Sequence, residues 1–170
     1  MPSVIFVCTA NRFRSPLAAA ILEKALKEGK SAAGRTGGLP SLEPWHVASA
    51  GTWATPGELV LPMVSEAAQK LGIDLSDHSS QRVSGVLLSE YDLILVMEAG
   101  HQEALKSEFP SLNDRIYLLS HVVERGSYDI PDSSGSEQEV ADVVSELNTL
   151  IRGGVRYIRV LATYLHNTQK

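Results

Sequence analysis

Residues 4–16 read Val4-Ile5-Phe6-Val7-Cys8-Thr9-Ala10-Asn11-Arg12-Phe13-Arg14-Ser15-Pro16. The apolar run at 4–7 predicts a buried strand, and Pro16 with the apolar residues after it predicts the first turn of a helix. A loop between a strand and a helix can turn its backbone N–H groups toward a bound oxyanion, and Cys8 stands at the start of this loop. The stretch therefore predicts a phosphate-binding loop that contains its own nucleophile.

Cys8 has neighbours that favour its thiolate form. A free thiol, with a pKa of about 8.5, is mostly protonated at neutral pH, but helix N-terminal amides, an arginine and a hydroxyl donor all stabilise the anion. Arg14 also offers a planar, permanently charged fork to two phosphate oxygens, and Ser15 either caps the helix or donates to the thiolate. A lone cysteine is more often a buried structural residue, but the Arg-Ser-Pro sequence here favours the nucleophile.

Strand-like and helix-like segments alternate along the chain. Strands are predicted at 4–7, 46–50, 93–97 and 116–119, and helices at 17–27, about 57–71, 101–107 and 137–165, the last with Gly153-Gly154 as a place to bend. The alternation predicts a three-layer α/β fold in a single domain over 1–170, with a central four-stranded parallel sheet flanked by helices. Ligands of such sheets bind beyond the carboxyl ends of the strands, where Cys8 would lie.

Residues 29–44 are rich in glycine, proline and small polar side chains. This composition predicts a flexible insertion between the first helix and the second strand. A mobile surface connection is the favoured interpretation, and a loop that docks a partner is the alternative.

Composition limits the classes of function. The chain has 170 residues, 44% of them hydrophobic, which suits one hydrophobic core. Its single cysteine excludes internal disulfide bonds and cysteine-based zinc sites. No leader or membrane-spanning stretch is visible, so a cytoplasmic location without membrane association is expected. A formal net charge of −5 argues against broad nucleic-acid binding.

Four segments carry a resemblance to a known family: VCTANRFRSP, VASAGTW, GIDLSDHSSQ and YDLILVMEAGH. They resemble the low-molecular-weight protein tyrosine phosphatases, and the likeness runs nearly from end to end. The resemblance implies a Rossmann-like fold of the phosphotyrosine protein phosphatase I type, no cofactor and no metal. It implies that Cys8 takes the phosphoryl group and that Arg14 binds it. The remaining residues of the phosphate-binding loop are then Thr9, Ala10, Asn11, Arg12, Phe13 and Ser15.

The family protonates the leaving oxygen with an aspartate in an Asp-Pro-aromatic turn before the C-terminal helix. Residues 129–135 read DIPDSSG and occupy that place. Alignment of the following helix assigns the general acid to Asp132, with Asp129 in reserve. A carboxylic acid there would protonate the departing oxygen, and its carboxylate would then activate water. Ser133 and Ser134 replace the usual proline and aromatic residue, which removes apolar contact for a phosphotyrosine ring.

Further roles follow from the same resemblance. Asn11, Ser49 and His78 correspond to residues that hydrogen-bond beneath the phosphate loop, and His78 is expected to be structural rather than a metal ligand. Trp53 and Arg12 are expected at the substrate slot. Arg12 would either form a cationic rim or simply point into water, and the solvated orientation is favoured.

Two loop residues depart from the family pattern. Ala10 replaces a glycine, and its Cβ is expected to hinder a tight backbone turn. Phe13 replaces a second cysteine found in many relatives, so that Cys8 has no neighbour with which to form a protective disulfide.

The expected activity is hydrolysis of phosphomonoesters, with protein phosphotyrosine as substrate and a phosphocysteine as intermediate. A protein arginine phosphatase of the same family is the first alternative. Arg12 does not decide between the two, since it matches neither the aliphatic residue of phosphotyrosine-directed relatives nor the threonine of phosphoarginine-directed ones. From a different class, a phosphate-binding regulatory protein with weak turnover remains open, given Ala10 and the altered acid loop. The oligomeric state stays open as well.

Overall fold

The computed structural model of the chain describes residues 1–36 and 44–169. Its elements follow in this order: β1 (Ser3–Cys8), α1 (Arg14–Thr36), β2 (His46–Gly51), α2 (Pro62–Lys70), α3 (Gly85–Ser89), β3 (Leu93–Val96), α4 (Ala99–Glu108), a 3-10 helix (Pro110–Arg115), β4 (Ile116–Leu118), α5 (Leu119–Glu124) and α6 (Glu137–Thr168).

The strands form one parallel sheet in the order β2-β1-β3-β4. Strand β1 is central, and Val4 pairs with Val47 on one side and Leu93 on the other. The predicted four-stranded parallel sheet is therefore confirmed. All four carboxyl ends point to one edge, where β1 leads into residues 9–13.

Both faces of the sheet are covered, which explains why residues 4–8 of β1 and all of β3 are apolar. Successive side chains of a strand point to opposite faces. Val4 and Phe6 belong to a cluster with the buried sides of α1, α2, α5 and α6. Ile5 and Val7 belong to a second cluster with α3, α4 and the 3-10 helix. The result is the expected three-layer arrangement.

The first two helices differ from the sequence-based prediction. Helix α1 continues to Thr36, so residues 29–36 of the predicted flexible insertion are helical, which corrects its start; residues 37–43 lie outside the described part of the chain. Helix α2 begins at Pro62 rather than near 57, because Gly57 has a positive φ of 88° and Pro62 supplies a preset first turn without needing an N–H partner.

Helix α6 runs as one helix through Gly153-Gly154. A Cβ on Gly154 would overlap the side chain of Val123, so this glycine lets α5 approach α6 closely. The amino end of α6 is capped by Ser136, whose side chain accepts from the backbone N–H of Glu139 at 3.2 Å. Within residues 1–36 and 44–169, no helix has the length and apolar character needed to cross a membrane.

Candidate active site

The loop at residues 9–14 presents unused backbone donors. Its carbonyl groups are held from outside: Trp53 N–H donates to Thr9 O at 2.9 Å, and Leu61 N–H donates to Arg12 O at 3.0 Å. In the described part of the chain, no acceptor meets any backbone N–H group of residues 9–14. Buried backbone donors rarely stay unpaired, so this loop is built to receive an anion.

Cys8 lies under that loop with only 2% of its surface exposed. Its Sγ is 3.0 Å from the Ser15 hydroxyl oxygen, which is also 3.1 Å from the carbonyl of Ala50. A hydroxyl has one proton to donate. Ser15 therefore donates to Ala50 O while Cys8 is a thiol, and to Sγ once Cys8 is a thiolate.

Asn11 organises the floor of the loop. Its φ of 58° places it in the left-handed region, where its side chain is fully engaged. The amide nitrogen donates to the hydroxyls of Ser15 at 2.8 Å and Ser49 at 2.9 Å, and the amide oxygen accepts from Gln81 N–H at 2.9 Å. His78 Nε2–H donates to the Asn11 carbonyl at 2.7 Å. These contacts repay the backbone strain and fix the loop from below.

Ala10 does not adopt the left-handed backbone conformation that favours glycine, and the expectation that its Cβ hinders the turn stays a prediction. The non-glycine residues with positive φ in the described chain are Asn11 and Arg125. A close backbone approach occurs at Gly51, where a Cβ would lie 2.9 Å from Ala54 Cβ and 3.0 Å from Asn11 N.

Arg14 contacts two distant parts of the chain, although only 1% of its side chain is exposed. Its guanidinium forms an ion pair with Glu98, donates to the carbonyl of Ile130 at 2.8 Å, and lies 3.4 Å from Asp132 Oδ2. A guanidinium has five N–H donors in a fixed geometry, so that Arg14 has further donors for a phosphate besides those used in these contacts.

The two candidate acids have different surroundings. Asp129 Oδ1 accepts from the backbone N–H of Ala99 at 2.7 Å, at the start of α4. Asp132 has 53% of its side chain exposed beside Arg14. Since a general acid must meet the leaving group, this geometry favours Asp132 over Asp129.

His101, on the first turn of α4, also touches the loop. Its Nε2 is 2.9 Å from Thr9 Oγ1, and the residue is only 7% exposed. Burial lowers the pKa of His101, and nearby Arg14 lowers it further; the carboxylates at residues 98, 129 and 132 act in the opposite direction. The imidazole is therefore neutral at neutral pH.

Trp53 and Arg12, the two residues expected at the substrate slot, have different surroundings. Trp53 is 76% exposed, and the guanidinium of Arg82 lies 5.1 Å from the centre of its ring. Arg12 has 32% of its side chain exposed, so the solvated orientation favoured from sequence stays a prediction. Its Nε–H donates to the Leu59 carbonyl at 2.8 Å, and Glu58 Oε2 is 3.8 Å from the same nitrogen. The charge of Arg12 therefore lies at the rim and is partly offset.

The sequence and the fold are similar to those of known proteins. The sequence profile of the family described as low molecular weight phosphotyrosine protein phosphatase matches residues 3–160. The chain belongs to the low-molecular-weight protein tyrosine phosphatase family. Its homologues are cysteine-based enzymes.

Relatives with two different substrate names are similar to this chain. A probable low-molecular-weight protein tyrosine phosphatase, EpsP, from Ralstonia nicotianae is 32% identical over 130 residues, covering 76% of this chain and 77% of its own. A protein-arginine-phosphatase from Bacillus subtilis is 30% identical over 151 residues, covering 88% and 91%. The solved YwlE arginine phosphatase from Geobacillus stearothermophilus has a TM-score of 0.80 and 27% identity, and the match covers 94% of both chains.

Sequence reasoning missed three contributors to this phosphatase site. No role was predicted for Glu98, yet its carboxylate pairs with Arg14. Gln81 and His101 were not singled out at all, although each contacts the loop directly. The position of Glu98, at the carboxyl end of a central strand, is the one signal that would have pointed to a role.

Proposed function

We propose that this chain hydrolyses protein phosphotyrosine through a phosphocysteine intermediate, with Cys8 as the nucleophile. The observation that carries the proposal is the Cys8 Sγ held 3.0 Å from the Ser15 hydroxyl beneath the unpaired loop N–H groups. A thiolate below an anion cradle can attack phosphorus while the oxygens of the phosphoryl group stay bound.

In the first step, the Cys8 thiolate attacks phosphorus and the bond from phosphorus to the leaving oxygen breaks. The loop N–H groups and the Arg14 guanidinium hold the equatorial oxygens, where charge is spread in the transition state. Asp132, which must carry a proton at this stage, gives it to the leaving oxygen. Its half-exposed position beside Arg14 supports that role.

In the second step, the Asp132 carboxylate takes a proton from water, and the water oxygen attacks phosphorus. The bond from phosphorus to sulfur breaks and releases inorganic phosphate. The departing Cys8 thiolate then accepts a hydrogen bond from the Ser15 hydroxyl. Ser15 therefore stabilises the leaving group of this step.

Two features of the rim support phosphotyrosine over phosphoarginine. Trp53, whose backbone N–H donates to the Thr9 carbonyl, carries an exposed ring against which a phenyl ring can pack. The Arg12 charge at the same rim would repel the guanidinium of a phosphoarginine. Because one of the similar proteins is an arginine phosphatase, phosphoarginine is the second substrate to test.

The first experiment compares wild type with Cys8→Ser on p-nitrophenyl phosphate. Cys8→Ser should lose more than about a hundredfold in kcat, roughly 3 kcal/mol, because serine is a far weaker nucleophile at neutral pH. It should still bind inorganic phosphate, since the loop N–H groups and Arg14 remain. A wild type that binds phosphate but shows no turnover would instead support a regulatory phosphate-binding protein.

The second experiment uses peptides of one sequence that carry phosphotyrosine or phosphoarginine. We expect a higher kcat/KM for phosphotyrosine. A preference for phosphoarginine would overturn the substrate assignment and leave the phosphocysteine mechanism in place.

A further inference from the structure

The first turn of α4 touches both ends of the phosphate loop. Glu98, which precedes the helix, pairs with Arg14 at the end of the loop, and His101 contacts Thr9 at its beginning. Residues three apart in a helical turn lie on the same side, so one short segment reaches both contacts. Of the two, only the contact of Glu98 has an evident use in binding phosphate.

Burial of the His101 ring lowers the stability of the fold, because one of its nitrogens is unpaired within the described part of the chain. Its contact with Thr9 is the evident reason for a histidine at this position. It is 7% exposed, and its Nδ1 has no hydrogen-bond partner among the described residues. An apolar side chain of similar size would fill this space without burying an unpaired nitrogen. The contact that only a hydrogen-bonding side chain provides is the 2.9 Å one from Nε2 to Thr9 Oγ1.

The tautomer of His101 follows from its surroundings. A neutral imidazole carries one N–H. With that proton on Nε2, the ring donates to Thr9 Oγ1 and leaves only a lone pair on buried Nδ1. The other tautomer would leave a buried N–H without an acceptor, which is rare in proteins. The Nε2–H form is therefore the one that fits.

Thr9 is held from two directions. Its carbonyl accepts from Trp53 N–H at 2.9 Å on the side of β2, and its side chain meets His101 on the side of α4. The Trp53 bond fixes the peptide between Thr9 and Ala10. The peptide between Cys8 and Thr9, whose N–H is one of the unpaired donors, is fixed at its other end, because the Cys8 carbonyl accepts from Thr52 N–H at 2.9 Å. The bond from His101 adds a restraint on the Thr9 side chain, next to that N–H. Ala10, next in the loop, is exposed and adds no such restraint.

We propose that His101 is a positioning residue of this site: its hydrogen bond to the Thr9 side chain fixes the first N–H of the phosphate loop in the direction that phosphoryl transfer requires. The proposal rests on the proposed phosphatase function. The donors of such a site contribute most when they are already aimed at the transition-state oxygens. Loss of the anchor should therefore lower kcat more than it raises KM.

The test compares His101→Phe, His101→Gln and His101→Asn. The side-chain nitrogen of glutamine reaches the place of Nε2, whereas that of asparagine falls near Nδ1. His101→Phe should lower kcat on p-nitrophenyl phosphate by roughly threefold to tenfold, the usual range for one lost hydrogen bond. His101→Gln should recover most of this loss and His101→Asn should not. Equal activities of the Gln and Asn variants would overturn the proposal.

A double-mutant cycle with Thr9→Val tests the bond itself. If His101 acts through Thr9, the variant with both Thr9→Val and His101→Phe should lose no more activity than the worse single variant. Additive losses would show that His101 acts independently of Thr9 and would overturn the proposal. Melting temperatures of all variants separate this effect from a general loss of folding. Should His101→Phe fail to fold, the Gln and Asn pair decides.

Vanadate binding distinguishes failure of this inference from failure of the proposed function. Wild type without turnover would contradict the phosphatase mechanism, but vanadate would still bind the loop and report its geometry. In that case the same variants are compared by their vanadate dissociation constants. His101→Phe should weaken vanadate binding by about threefold or more, with His101→Gln near wild type. Unchanged affinity in His101→Phe would contradict the positioning role.

Discussion

Replacing Ser15 with alanine removes the one side-chain hydrogen bond that the nucleophile makes among the described residues. The hydroxyl lies 3.0 Å from Cys8 Sγ, and both residues are buried, so water does not readily take its place. In the proposed second step, sulfur departs as a thiolate, and Ser15 is the group placed to stabilise it. We therefore expect Ser15→Ala to slow breakdown of the phosphocysteine.

The magnitude follows from the charge of the acceptor. A hydrogen bond to a charged group is worth about 1.5–3 kcal/mol, which corresponds to a loss of roughly ten- to 150-fold in the rate of that step. Stopped-flow hydrolysis of p-nitrophenyl phosphate should show a rapid burst of p-nitrophenolate, near one equivalent, followed by slow turnover.

Ser49→Ala is the matched control. Ser49 accepts from the same Asn11 amide group as Ser15, at 2.9 Å, but no contact joins it to Cys8 in the described chain. Loss of this neutral hydrogen bond, worth about 1 kcal/mol, should cost no more than roughly fivefold and should give no burst. A kcat of Ser15→Ala within threefold of wild type, or an equal loss in Ser49→Ala, would refute the assignment of the leaving-group role.

Three further predictions concern the acid, the rim and the buried histidine. Asp132→Asn should slow alkyl and weakly acidic phenyl phosphates by about 10²–10⁴-fold and p-nitrophenyl phosphate far less, because only poor leaving groups need the proton. Asp129→Asn should show little of this dependence, and the reverse order across a leaving-group series would transfer the acid to Asp129. Arg12→Thr should narrow the preference for phosphotyrosine over phosphoarginine peptides by about 1 kcal/mol, since it removes a rim charge in high dielectric; an unchanged ratio of kcat/KM would contradict this. Since burial lowers the pKa of His101, the unfolded chain binds a proton there before the native one does. The free energy of unfolding should therefore fall as pH drops below about 6.5, by at most about 1.4 kcal/mol per pH unit for this proton, and urea titrations of His101→Gln should show a smaller slope. Equal slopes for wild type and His101→Gln would count against the buried neutral imidazole.

The sheet was predictable because its strands leave a local signature. Strands buried on both faces must be apolar at every position, and 4–7 and 93–97 show this directly in the sequence. Helices α3 and α5 were missed because each spans too few residues for a periodic pattern to show. Their positions depend on packing: Leu88 and Val123, for instance, are buried against different faces of the sheet.

The site divides in the same way. Cys8, Arg14 and Ser15 were found because the chemistry of one loop is contiguous in sequence. Glu98 and His101 could not be identified from a contiguous motif, since each contacts a loop residue more than eighty positions away. Such contacts exist only after β1 and β3 pair.

The sequence holds a single thiol, and the fold places it beneath the phosphate loop. Chemical labelling of Cys8 therefore does not require the prior removal of other cysteines by mutation. Every equivalent of a thiol-directed reagent that couples to the folded chain counts one nucleophile, so the labelling yield is an active-site titration. A ligand that fills the loop should shield that atom. The rate of labelling at rising ligand concentration then measures affinity for any anion, including those that the protein binds without turning over.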